Sequence, residues 1–311
     1  MKPTKADMHV DKLLTNLLIG YRNKKYVWSD VAPIVNTNGR TSDKYATYPL
    51  ADWFRKTAEV AAPSGPVPIG GFSVSTDSFT TSLYIQGTTL ADEDVANANE
   101  IHKTRIRKNK ARWCVDRIEM KMEADLADTI DTTGVWGTDN TTATDWDDYD
   151  NSTPVEDIET ARDTIQLNTA EDPNVFLTNR KVWTKLKRNP EILDLLGANE
   201  RSLATPELLA SQFELEKIII GSALYNSAKE GQTASMSRIW GDNALLLYVT
   251  NTPSEQDPTA VYTFQAQPLQ IRSWREDGVN MRKSEVFEAT INQGYKVVAS
   301  ELGYFFSDVI S

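Results

Sequence analysis

The densest group of side chains able to do chemistry is Asp145, Asp147, Asp148 and Asp150, four carboxylates within six residues. Carboxylates in such a cluster are hard oxygen ligands for a divalent cation. A cation held this way polarises a scissile bond, so one reading of the segment is a metal-assisted hydrolase. In the register of a calcium loop, Asp145, Asp147 and Glu156 take the first, third and twelfth places. The match then fails, because the sixth place holds Asp150 rather than glycine, the fifth is Tyr149, and Pro154 intrudes before the final ligand. The competing reading is an acidic surface loop that feeds a capped helix.

Other catalytic patterns are missing. The two histidines, His9 and His102, stand far apart without metal-ligand spacing. The chain has no glycine-rich phosphate loop followed by lysine, no dinucleotide fingerprint, no nucleophile elbow and no two-histidine zinc helix. A single cysteine, Cys114, excludes internal disulfides and paired-cysteine metal sites. The reading is therefore a non-catalytic protein with no catalytic residue, metal or cofactor. No apolar window approaches the length of a membrane span, and the polar start, Met1 to Asp11, is unlike a secretory signal. A protein that acts in a cytoplasm, with no membrane partner, is expected.

Charge is arranged in blocks within a net balance of −11. Thr57 to His102 holds six acids and no Lys or Arg; Met122 to Ala161 holds twelve acids and no cation. Between them Lys103, Arg105, Arg107, Lys108, Lys110 and Arg112 form a cationic segment. The overall charge opposes tight wrapping of nucleic acid, which rests on phosphate neutralisation. Blocks of like charge are either solvated faces or contacts with complementary blocks on another chain.

The element that positions these cations is the run Thr88 to Thr133, 46 residues without glycine or proline. As one helix it would reach about twice the width of a small domain. Thr88 or Thr89 is the candidate cap, Asp92 and Glu93 lie in the first turn, and Gly134 closes the end. Ala111, Cys114, Val115, Ile118, Met122, Leu126 and Ile130 recur at steps of three or four and form one packing face. Two amphipathic helices joined near Asn109 are the alternative.

Upstream, Leu13, Leu14, Leu17 and Leu18 give a short helical pattern, and Tyr26 to Val35 is extended in character. Tyr48, Trp53 and Phe54 are aromatics in need of a partner surface, and Ala61 to Gly71 is a turning segment with three prolines and three glycines. Phe72 to Gln86 is expected to form a hairpin with too little apolar surface to stand alone. Downstream, Thr153-Pro154, Asn189-Pro190 and Thr205-Pro206 each place a capping side chain before proline at the first helical position, with a capping box from Thr153 to Glu156. Val175 to Leu177, Lys217 to Ile220 and Ala244 to Val249 suit buried strands. Val261 to Phe264, Leu269 to Trp274, Arg282 to Ile291 and Tyr295 to Val309 read as strands turned or bulged at Gly278, Gly294 and Gly303.

This order of parts resembles the major capsid proteins of tailed bacteriophages, the Hong Kong 97-type shell fold. Several stretches carry the likeness: Tyr26-Val-Trp-Ser-Asp-Val-Ala-Pro-Ile-Val35, Tyr45 to Phe54, Trp146-Asp-Asp148, Thr153-Pro-Val-Glu-Asp-Ile158 and Pro173-Asn-Val-Phe-Leu177. Further matches are Val182-Trp-Thr-Lys-Leu186 with Asn189-Pro190, Leu208-Leu-Ala210 leading to Ile218 to Gly221, and Ile239-Trp-Gly241.

The resemblance implies an α+β chain: an N-terminal arm (1–44), an extended two-stranded loop region (45–90), a spine helix of a peripheral domain (88–134), an axial mixed α/β domain (135–255) and returning strands (256–311). It implies a structural protein that self-assembles as hexamers and pentamers into an icosahedral shell enclosing double-stranded DNA without sequence-specific contact. Its partners would be a portal protein, a separate scaffolding protein and a decoration protein. The chain begins almost directly at the arm, so no fused scaffolding segment is expected. A cellular nanocompartment shell shares the fold and is the nearest rival. Candidate intersubunit contacts are the six cations from Lys103 to Arg112 with Trp53, Phe54, Phe72 and Phe79. Some members crosslink through a lysine on the extended loop, but Thr57 to His102 has none, so no such crosslink is expected.

Overall fold

The computed structural model describes residues 9–10, 26–47, 54–56, 58, 60, 71, 73–96, 100–141, 144–196, 204–253, 259–276 and 283–311. The leucine pattern at 13–18, Trp53, Phe72, Gly278 and nearly all of the turning segment 61–71 lie outside the described residues.

The chain enters with β1 (His9–Val10), α1 (Trp28–Val31) and β2 (Ile34–Asn36), the last pairing in parallel with Thr263 to Gln265. Only the second part of the stretch read as extended is a strand. Its first part curls into α1 because a distant carboxylate, Glu123, accepts the amides of Val27 and Trp28 at the turn's start. Next come β3 (Ser42–Thr47), β4 (Ser75–Thr80) and β5 (Ser82–Ala91). The expected hairpin within 72–86 does not form: β4 pairs with β3, and β5 joins a different sheet. Thr81 alone separates β4 from β5, so the chain changes sheets without a turn to mark it. Gly294 permits this crossing, since a Cβ there would sit 2.2 Å from the Thr80 carbonyl oxygen.

A short helix, α2 (Asp92–Ala96), precedes the long helix α3 (Glu100–Ile130). The long helix thus starts later than expected, and Thr88 and Thr89 are strand residues paired with Phe287 and Val286 rather than caps. The β-branched threonines suit a strand, and pairing with Phe287 and Val286 fixes them there. With 31 residues α3 still spans about 46 Å, and it runs unbroken through Asn109. All seven residues of its apolar stripe are buried. The first five, Ala111 to Met122, pack on a sheet of order β1-β12-β13-β5, where β12 is Val261–Glu276 and β13 is Ser284–Val297. The two strands expected within 261–274 are one, with register shifts between Gln265 and Gln270 where Pro268 interrupts the ladder.

Between α3 and β12 the chain builds a second sheet. Its elements are β6 (Thr138–Thr141), α4 (Pro154–Thr169), β7 (Val175–Asn179), α5 (Arg180–Leu186), α6 (Pro190–Leu195), α7 (Pro206–Gln212), β8 (Lys217–Gly221), the hairpin β9 (Leu224–Asn226) with β10 (Met236–Arg238), and β11 (Ala244–Leu247). The final strand β14 (Gly303–Ser307) inserts between β6 and β11, giving the order β6-β14-β11-β7-β8. The inner strands β14, β11 and β7 are buried throughout because both faces are covered, whereas the edge strand β6 is polar and largely exposed. Phe176, Leu246 and Phe306 face a core with Trp146, Ile158 and Ile165, while Leu177, Leu245 and Phe305 face Leu126 and Ile130 at the end of α3.

Of the three caps that precede a proline, two hold. Asn189 accepts the Glu191 amide at 3.0 Å and Thr205 the Leu208 amide at 3.3 Å. Thr153 makes no side-chain cap, so the predicted capping box is absent. Instead, Glu191 reaches across from α6 to accept the Val155 amide at 3.1 Å.

Candidate assembly surfaces and the joint behind them

The β3–β4 ribbon is fastened at its root. Phe79 is buried and stacks on Phe264 with centroids 4.2 Å apart and planes 6° from parallel, and Tyr45 lies 5.8 Å from the same ring. Beside the stack, Asp77 accepts from the Tyr45 hydroxyl and pairs with Lys296, both at 2.9 Å. The Lys296 contact holds the Asp77 carboxyl below its usual range. Phe79 therefore belongs to the chain's own packing rather than to an exposed contact, because it faces Tyr262 and Phe264 from the strand side that meets β12. Beyond the root, Val74 and Phe54 are exposed.

The cationic segment divides by helical face. Arg107 turns toward the sheet and pairs with Glu285 of β13 at 2.8 Å, and Lys110 is half-buried on the Cys114 side. Burial pushes the Cys114 thiol up to about 11, which marks a packing residue and not a nucleophile. Arg105, Lys108 and Arg112, at steps of three and four, lie on the opposite, exposed face. Trp113 is 44% exposed beside them, with the Arg117 guanidinium 5.4 Å above its ring. The side chain of Lys103 lies outside the described part.

The acidic loop is tied into the fold. Asp147 takes Lys185 at 3.2 Å and the Ser311 amide at 3.3 Å; Asp148 accepts from the Asn151 side chain at 2.9 Å. Trp146 is fully buried, donating its indole N–H to Asp157 at 2.8 Å. Among the described residues no group of three His, Cys, Asp or Glu side chains is placed to hold a metal ion. No helix among them is long and apolar enough to cross a membrane.

Behind these surfaces lies a joint that the sequence reading missed. Glu123 is fully buried on α3 and accepts the Val27 amide at 2.9 Å, the Trp28 amide at 2.8 Å and the Trp240 indole N–H at 2.7 Å. Eight residues on, Asp131 accepts the Gly241 amide at 2.7 Å and the Asn243 side-chain amide at 3.0 Å. The indole of Trp240 rests on Gly221 of β8, where a Cβ would intrude to 2.2 Å. Burial raises both carboxyls above their ordinary values despite these donors. One sequence signal was available: Glu123 follows stripe residue Met122 and has Glu119 and Ala127, not a cation, four residues away.

The family model described as phage major capsid protein E matches residues 124–277. The major capsid protein of Burkholderia phage BcepMu is 25% identical over 312 residues, covering 96% of each chain. A solved phage-related protein from Bordetella bronchiseptica RB50 superposes with a TM-score of 0.72 at 20% identity, covering 97% of this chain and 98% of that one. The capsid of cyanophage P-SCSP1u superposes with a TM-score of 0.58 at 12% identity, covering 92% and 89%.

Proposed function

From the premise that this chain belongs to the major capsid proteins of tailed phages and has the Hong Kong 97-type shell fold, we propose that it works as the repeating unit of an icosahedral head around double-stranded DNA. Hexamers and pentamers of the chain form the wall. A portal protein occupies the DNA entry, a separate scaffolding protein guides assembly in the host cytoplasm, and a decoration protein binds the outside. The wall contacts DNA without reading its sequence, and the net charge of −11 supports loose rather than tight contact.

The observation that carries this reading is the β3–β4 ribbon. It is a two-stranded arm held at its root by Phe79 and Asp77, and a lone ribbon of this kind is marginal in water without a further surface to cover it. A neighbouring subunit supplies that surface. In this assignment the first sheet with α3 is the peripheral domain and the second sheet with its helices is the axial one. Phe54 and the exposed row Arg105, Lys108 and Arg112 are intersubunit contacts, the row meeting acidic blocks of a neighbour. The role is structural and not catalytic, in keeping with Asp147 and Asp148 being engaged in fold-internal contacts.

Electron microscopy of the purified protein tests the proposal. Uniform icosahedral shells, or the hexamers and pentamers that build them, are expected; small soluble oligomers under all assembly conditions would overturn it. On denaturing electrophoresis, assembled shells should run as single chains, since residues 57–102 offer no lysine for a crosslink.

A further inference from the structure

Two charged rows of opposite sign share one spacing. On α3 the exposed cations are Arg105, Lys108 and Arg112; on α4 the exposed acids are Glu156, Glu159 and Asp163. Each row steps by three and then four residues along one helical face and spans about 10 Å, so three opposite charges meet in register when the two helices lie side by side. Among the described helices no other carries three exposed acids at this spacing.

The acid row has no counter-charge of its own. Arg162, the one cation of α4, turns off the row to Glu214 at 2.7 Å, and no described ion pair involves Glu156, Glu159 or Asp163. Burial, and after it the charges of Asp157, Glu156 and Glu159, raise the Glu191 carboxyl beside them, as expected where the local field is negative. Exposed ion pairs alone contribute little, and here each row also ends beside a large apolar side chain left in water. Trp113 follows Arg112 and is 44% exposed; Leu167 lies one turn beyond Asp163 and is 84% exposed. A contact that joins the rows therefore has apolar area to bury.

Within one chain the rows stay apart. Ile158, Ala161 and Ile165 pack α4 on the face of the second sheet that carries Phe176, Leu246 and Phe306, while Leu126 and Ile130 of α3 press on the opposite face. The sheet stands between them, and about 27 Å of helix separates Arg112 from Ile130. The complementary surface is thus presented by a second copy. Because the two patches differ, such a contact is heterologous, running head to tail, and it closes as a ring when the rotation allows. Rings of six and five are what a shell of this kind requires.

We propose that the α3 row of each subunit docks on the α4 row of the next copy around a ring, an assignment that rests on the shell function and names the acidic surface the cations meet.

Charge exchange in the full chain tests the pairing, with shells counted by sedimentation velocity and electron microscopy. Arg105→Glu with Lys108→Glu, and separately Glu159→Lys with Asp163→Lys, should each lower shell yield about tenfold or more, since like charges then face each other. The chain carrying all four substitutions should recover to within about threefold of the unsubstituted one, because the pairs re-form with their signs exchanged. An acid-reversed chain that assembles normally overturns the proposal, as does a four-substitution chain that assembles no better than the poorer of the two. Should a variant fail to fold, shells of the unsubstituted chain decide. A carbodiimide joins a carboxylate directly to a lysine amine with loss of water, and mass spectrometry should recover Lys108 linked to Glu156, Glu159 or Asp163 from shells but not from dissociated subunits. Shells that lack this link overturn the pairing and leave the shell function standing, whereas an unsubstituted chain that forms neither shells nor capsomers overturns both.

Discussion

The Trp240 indole and the Glu123 carboxylate meet at 2.7 Å although 117 residues separate them, and no water-exposed surface remains on Glu123. Replacing Glu123 by alanine strands three donors, the buried indole and Val27 amide and the half-buried Trp28 amide, and opens a cavity. Each orphaned donor costs about 1–3 kcal/mol, so a loss on the order of 3 kcal/mol or more is expected. Urea unfolding at neutral pH measures it. A midpoint within the error of the unsubstituted chain would mean the contact contributes nothing.

Asp131 gives a pH signature whose sign is fixed. Its folded value is raised, so its contribution to stability is full below the unfolded carboxyl value and is lost as pH rises through the raised value. Asp131→Asn removes that slope. The melting temperature of the variant relative to the unsubstituted chain should therefore climb with pH across the mildly acid range and then level off. Thermal scans at a series of pH values check this, and a gap that narrows with rising pH contradicts it. Asp77 has the opposite sign: its value is lowered, and its contribution is lost as pH falls through that lowered value.

What was legible in the sequence follows from how local each cause is. The stripe from Ala111 to Ile130 was readable because helical period alone decides it, and the apolar strands at Val175, Lys217 and Ala244 because burial on both faces leaves continuous runs. Asn189 and Thr205 were readable as caps for the same reason. The failures all have distant causes. Thr88 and Thr89 are strand because Phe287 and Val286 lie beside them, α1 exists because Glu123 caps it, and Thr153 is replaced as a cap by Glu191 from another helix. The ribbon was misassigned because its partner strand, β3, precedes β4 by 27 intervening residues. Of the candidate contacts, helical spacing located the cations, but only the fold separates Arg107, paired with Glu285, from the outward Arg105 and Lys108.

Phe79→Ala should release the ribbon without unfolding the body. The stack on Phe264 lies in a small satellite cluster with Tyr262, apart from the three larger cores. Truncating a buried phenylalanine costs about 3–5 kcal/mol at the site, but a ribbon that can undock confines most of this locally. The expected result is rapid proteolysis and exchange in residues 42–47 and 75–80, a nearly unchanged global melt, and poor shell yield. Unchanged protection of the ribbon would refute its anchoring by Phe79.

Reversing charge at Arg105 and Lys108 separates assembly from folding. Both are exposed on the face of α3 turned from the sheet, so Arg105→Glu with Lys108→Glu should shift the stability of the subunit by no more than about 0.5 kcal/mol per site. If the row meets a neighbour's acidic block, the same pair places like charges across an interface and should cut shell yield at least tenfold, as seen by sedimentation velocity. Salt adds a second discriminator: at 1 M the screening length falls to about 3 Å, so assembly of the unsubstituted chain should weaken while that of the variant recovers relative to it. Undiminished assembly of the double variant at low salt would remove the row from the interface and leave it a solvated face.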